Sequence, residues 1–253
     1  MKKHFTIWHK TALLSVQSAF THRLGVIMFS LAKLLRFAMF IGFIFLIHSQ
    51  VKIVGGYSLN QMIIFFLVFN LLDLYGQIFF RGIYLFRNQV VSGEFDFRLV
   101  KPASPLFQAL TRQTDILDVP LFFITLIYLI TQVPTISPLA PIMIVASLIV
   151  ITSIHIFVAS LGIITTEVDH TIMIYRDLSS MARFPIDIYT DNIRALLTFA
   201  IPIALAFTFP AKAILGLLSF PTVIISLLAS CAIFWLSLKF WHYAINQYSS
   251  ASS

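Results

Sequence analysis

Met62-Ile63-Ile64-Phe65-Phe66-Leu67-Val68-Phe69-Asn70-Leu71-Leu72 decides the fold class. The run follows a Gly55-Gly56-Tyr57 turn and continues towards Arg81. Ser58, with Gln61 three residues on, supplies a capping-box start for this helix. A membrane-spanning helix needs roughly 20 apolar residues, and residues 59–81 meet that requirement.

The rest of the chain agrees. Of 253 residues, 59% are hydrophobic, 11% are charged and 26 are Phe, with a mean hydropathy of +0.93. Soluble domains carry about 25% charged residues, so a soluble enzyme, a disordered chain and a disulfide scaffold are excluded. The lone Cys231 forms no intrachain disulfide, and no Cys/His spacing suits zinc.

Read outward from that run, the sequence predicts an all-α integral membrane protein of six spans, at about 24–48, 59–81, 115–133, 139–165, 193–209 and 221–243. Residues 1–23 place Phe5, Trp8, Ala12, Val16, Ala19 and Phe20 on one helical face, opposite Lys3, Lys10 and Gln17. That pattern describes an amphipathic helix lying in the interface. Two polar stretches, 86–114 and 167–192, read as cytoplasmic loops. The apolar piece between Pro210 and Pro221 is too short to span and reads as re-entrant. Residues 246–253 form a polar tail.

With both termini inside, thirteen Lys and Arg fall on inside segments, and only Lys52 and Lys212 fall outside. This positive-inside bias accounts for the net charge of +7 without a nucleic-acid partner. It places the chain as a multi-pass protein of the cytoplasmic (inner) membrane.

Away from the span ends, three charges lie inside the membrane: Lys33, Arg36 and Asp73. Intramembrane charges normally pair or line water, and matched depths from the cytoplasmic face make Lys33–Asp73 the expected pair. Arg36 is left one turn deeper, facing a solvated cavity. The three serve either helix packing or the transport path. His155 reads as a helix–helix hydrogen bonder. Glu167, Asp169 and His170 look superficially like metal ligands but lack a further His or Cys nearby, so no metal site is expected.

No glycine precedes a lysine, so a Walker A loop is missing, and neither G-x-S-x-G nor H-E-x-x-H occurs. No catalytic or cofactor-binding residue is expected. The first polar stretch contains Gly93-Glu94-Phe95-Asp96-Phe97-Arg98-Leu99-Val100-Lys101-Pro102. Gly93 breaks the descending helix, and Pro102 ends a short transverse one. Its apolar anchors Phe95 and Leu99 and its flanking charges suit a soluble partner.

This loop, the amphipathic N-terminal helix, Pro185-Ile186-Asp187-Ile188-Tyr189 and the Ile201-Pro202 and Pro210-Ala211 pairs together resemble the ABC-2 type permeases, the membrane subunits of bacterial ATP-binding-cassette exporters. The resemblance implies a complex of two six-helix permeases, identical or paralogous, in membrane lipid on two separate ATPase subunits. ATP and Mg would reside on those ATPases. Gly93, Glu94, Phe95, Asp96, Arg98, Leu99, Lys101 and Pro102 would form the coupling loop. Arg176, Asp177, Arg183, Asp187 and Tyr189 would add contacts from the second loop. Transport would proceed by alternating access, with export as the family's direction. An ion-coupled secondary transporter and a non-transporting scaffold docking a cytoplasmic partner are the rival readings.

Overall fold

A computed structural model describes residues 2–21, 23–133, 135–165 and 168–249, with no side-chain description for residues 2, 3, 19 and 168–171. Glu167 and the end of the expected tail lie outside the described residues, as do the side chains of Asp169 and His170. The chain is all-helical, and the described residues contain no strand, only an isolated bridge between Val54 and Tyr57.

Helix α1 (Lys2–Thr21) is followed by α2 (Arg23–Gln50) and α3 (Leu59–Phe80). Ser58 caps α3 with the full box: its hydroxyl accepts from the Gln61 N–H, and Gln61 accepts from the Ser58 N–H. A 3₁₀ segment, Arg81–Leu85, leads into α4 (Phe86–Val91), the short α5 (Asp96–Leu99) and α6 (Pro105–Thr111). Then come α7 (Val119–Gln132), α8 (Ala140–Thr165), α9 (Val168–Ser180), α10 (Asp191–Ala195), α11 (Phe209–Ile214) and α12 (Phe220–Gln247).

The core lies along α3, whose residues Met62 to Phe69 are all buried. That helix is apolar all round because its neighbours cover it. Helices α7 and α8 flank it, and α12 packs along α8. Helix α2 stands at the edge with only Ile44 buried. Its outward Leu31, Leu35 and Met39 remain more than half exposed, which is acceptable only where the surroundings are apolar.

Four helices are long and apolar enough to cross a membrane, and up to six crossings result if two bent pairs each count as one. One of those pairs, 191–200 with 204–214, bends by 84°. Residues 193–209, read from the sequence as the fifth span, are therefore sharply bent. Two π-helical turns, at 196–200 and 204–208, flank the break at Ile201-Pro202, where proline removes a backbone donor.

The second polar stretch also departs from expectation. Arg183 lies over Phe69 in the middle of α3, and Phe184 packs on Phe40 of α2. The Asp187 carboxylate then accepts from Tyr57 at 2.7 Å and pairs with Lys212 at 2.8 Å. Asp187 and Lys212 therefore share one end of the bundle, not opposite faces. Residues 168–188 climb the bundle rather than forming a wholly cytoplasmic loop. Hydropathy missed this because the segment's charges are accommodated against polar interior groups.

Helix α1 packs through small hydroxyls. The Thr11 hydroxyl donates to the Thr111 carbonyl, and the Thr114 N–H donates to the Ser15 hydroxyl. Trp8 stacks on Phe79 with centroids 5.6 Å apart. Phe5, Leu13 and Phe20 stay exposed on the other side.

Gly82 turns the chain where α3 ends. A Cβ there would sit 2.7–2.8 Å from the backbone of Ala109, Leu110 and Arg112, which side-chain rotation does not relieve. Gly82→Ala is expected to lower the thermal midpoint of the detergent-purified protein clearly, whereas Gly42→Ala, which meets nothing within 4 Å, should leave it unchanged or slightly raised. Differential scanning fluorimetry on both variants checks this.

Candidate functional site

Two regions concentrate the chain's polar chemistry. The first is the turn after α4. Gly93 adopts φ +73°, a left-handed conformation that glycine takes without the Cβ penalty, and the chain reverses into α5. Glu94 then bridges two arginines, Arg98 at 3.1 Å and Arg112 at 2.9 Å. Burial raises the Glu94 pKa, but hydrogen bonds and charge from Arg112 and Arg98 outweigh it and hold the carboxyl below its usual range. The bridge therefore persists at neutral pH and is lost as pH falls through that lowered value.

Phe95 is fully buried, wedged edge-on against Phe86, Trp241 and Tyr248 with centroids 5.1–6.4 Å apart. Burial first, and then the neighbouring Asp96 carboxylate, push the Tyr248 phenol up to about 12. Leu99 is partly buried against the core, and Arg98 also donates to the Gln108 carbonyl. Lys101 and Pro102 line a groove shared with α1.

This arrangement corrects the assignment of apolar anchors. Phe95 and Leu99, four residues apart, share the inward face of α5. Phe97 is 68% exposed and Val100 is 82% exposed; three residues apart, they share the outward one. The spacing held this signal, since two aromatics two residues apart cannot both face a partner from one helix.

The second region is a cavity of about 710 Å³ between α2, α3 and α9. It gathers Lys33, Arg36, Asp73, Gln77, Arg81, Tyr84, His155, Tyr175, Arg176, Asp177 and Arg183. Arg176, Asp177 and Arg183, expected at a cytoplasmic contact, line this cavity instead. Asp187 and Tyr189 lie at the bundle's far end, where Arg194 donates to both of their backbone carbonyls at 3.0 and 3.3 Å.

Lys33 does not pair with Asp73. Its ammonium binds the buried Asp118 carboxylate and lies 3.6 Å from Asp115, which also faces Arg81 at 3.9 Å. Asp73 instead accepts from Gln77 at 2.8 Å, with Arg36, Arg183 and Arg176 supplying positive field. Arg36 faces the cavity as the sequence suggested. His155 bonds through Nδ1 to its own helix at Ile151 and touches Phe80 and Tyr175; it is a cavity wall, not an interhelical polar link. Among the described residues, no group of three His, Cys, Asp or Glu is arranged to hold a metal.

Asp115 and Asp118 stand at the N-terminal boundaries of the 3₁₀ turn 116–118 and of α7, yet neither side chain caps its helix. Asp115 and Asp118 lie zero and three residues into the 115–133 span, against nine for Lys33 in 24–48, so depth in the sequence did not signal this pairing. Removing the cation leaves Asp118 buried without its partner, a loss of about 3–5 kcal/mol when no relaxation intervenes. Lys33→Met is therefore expected to lower the thermal midpoint, and Asp118→Asn in the same chain should recover most of it. Asp73→Asn should give no such recovery. A double-mutant cycle in detergent measures both couplings.

Comparison with curated proteins returns no match. The model of the family described as ABC-2 family transporter protein matches residues 34–252. That range takes in most of α2, the Gly93–Pro102 turn and the cavity-lining residues from Arg36 onward, but not Phe29, Ala32 and Lys33. The chain belongs to the ABC-2 transporter family.

Proposed function

We propose that this chain is the permease subunit of an ABC exporter in the cytoplasmic membrane, pairing with a second permease and two ATPase subunits that bind ATP and Mg. Its six crossings are α2, α3, α7, α8, the 168–188 segment and α12, and residues 191–214 dip back in from the Tyr57 end. Both termini and the Gly93–Pro102 turn lie on the cytoplasmic side. Helix α1 rests on the inner leaflet through Phe5, Leu13 and Phe20.

The observation that carries the proposal is the construction of α5. Its base is fixed by the Glu94 bridge and the buried Phe95, while Phe97 and Val100 project outward and are mostly exposed. A rigid turn with an apolar tip suits docking into a groove of an ATPase and transmitting its closure. Positioning energy is then not lost in a flexible loop. Alternating access follows from movement of that tip against α12, which Phe95 touches through Trp241.

In the reconstituted complex, Phe97→Ala/Val100→Ala is expected to weaken ATPase binding roughly tenfold or more, while the permease keeps its thermal midpoint. Unchanged affinity and unchanged permease-dependent hydrolysis would remove the docking role.

The crossing scheme has its own test. In a Cys231→Ser background, single cysteines at 187 and 212 should react with a membrane-impermeant thiol reagent from one face, and a cysteine at 97 from the other. Labelling of 187 together with 97 from the same face would discard the scheme.

A further inference from the structure

Three elements present the same order of side chains from the cavity towards the Tyr57 end. On α2, Arg36 lines the cavity and Phe40 follows one turn later. On α3, Asp73 lines the cavity, and Phe66 stands two turns or about 10 Å nearer the Tyr57 end on the same face. On the connector after α9, Arg183 lines the cavity, Phe184 follows and Asp187 ends the series.

The phenylalanines meet. Phe40 stacks on Phe66 with ring centroids 4.5 Å apart, and Phe184 lies 5.3 Å from Phe40 and 6.3 Å from Phe43. Phe37 closes on Phe66 at 5.2 Å. Where Phe37, Phe40 and Phe66 face Arg36, Asp73 and Arg183, the space is a recess of about 20 Å³, against about 710 Å³ in the main cavity. Polar groups stand on both sides of this layer, the cavity charges on one and Tyr57, Asp187 and Lys212 on the other. An apolar constriction of this kind excludes water and charge until its rings part.

Phe40 and Phe66 belong to long helices, whereas Phe184 sits on extended backbone, φ −110° and ψ 156°, between a 3₁₀ turn and Pro185. The proline fixes its own φ and keeps the residue before it extended, and a second 3₁₀ turn, Ile186–Ile188, follows. Phe184 and Asp187 are thus joined by a short stiff link. Asp187 is where that link is fastened: its carboxylate accepts from Tyr57 and Lys212, and its carbonyl accepts from Arg194.

We propose that Phe184 is the gate between the cavity and the Tyr57 side of the membrane, and that Asp187, held by Tyr57 and Lys212, is the positioning residue that keeps it shut. This rests on the permease reading above and locates the barrier that cargo must pass.

The test needs neither ATPase nor nucleotide, so a failure of docking at α5 leaves it intact. The cavity-lining Ser180 is replaced by cysteine in a Cys231→Ser background, and the full chain is placed in oriented sealed vesicles. A membrane-impermeant maleimide is added from either side, and labelling is read by mass. Ser180→Cys should label from the Phe97 side and not from the Tyr57 side. Adding Phe184→Ala should speed labelling from the Tyr57 side roughly tenfold or more, and Asp187→Asn should do so to a smaller degree. Phe123→Ala, which removes an outward ring of α7, should not. Unchanged labelling from the Phe97 side shows that each variant keeps its fold.

Labelling of the parent at equal rates from both sides, or no rise in Phe184→Ala, overturns the proposal. A rise in Phe184→Ala with none in Asp187→Asn overturns the role of Asp187 and keeps Phe184 as the gate. Should Phe184→Ala fail to fold, Tyr57→Phe/Lys212→Gln frees Asp187 without touching the ring layer, and no rise in that variant overturns the proposal.

Discussion

The compensation of charge within an apolar bundle governs this structure. Lys33 reaches from α2 to the carboxylates that precede α7, and Arg81 reaches Asp115 from the end of α3. A charge that cannot pair would cost several kcal/mol in such surroundings. The three segments are thus held at one level by electrostatics where apolar packing alone would allow sliding. Helix α2 needs this tie, because it buries only Ile44. Once that level is fixed, the charges further along α2, α3 and α9 are brought to face one another across a cavity.

Much of this was legible in the sequence. The apolar run from Met62 to Leu72 and the Ser58–Gln61 box defined α3, and both appear as read. The amphipathic pattern of residues 1–23 identified a helix, although its inner contacts are made by Thr11, Ser15 and Trp8 together rather than by an apolar stripe. Gly93 and Pro102 bracketed α5 because each constrains the backbone locally. Local signals of this kind survive folding because they depend on nearby residues.

Pairing between distant charges did not read as well. Depth along a helix suggested Asp73 for Lys33, but depth says nothing about which face each residue occupies. Asp118, only three residues into the expected third span, was passed over by that criterion. The segment 168–188 was misread for a related reason: Arg176, Asp177 and Arg183 look aqueous one at a time. Together with Asp73 and Arg36 they make an aqueous-like interior of their own. Hydropathy sums each residue against a uniform solvent, and a bundle with a polar cavity provides no uniform solvent.

Phe95 and Trp241 place the base of α5 directly on the last helix. Helix α12 has 28 residues and extends about 42 Å at 1.5 Å per residue. It packs along α8 and begins just after the bent segment that carries Lys212. A displacement applied at Phe97 therefore has a stiff rod to travel along, with its fulcrum on α8. Under the proposed docking at α5, a small tilt at one end of this helix would become a lateral shift at the other, with one helix joining the two ends of the molecule.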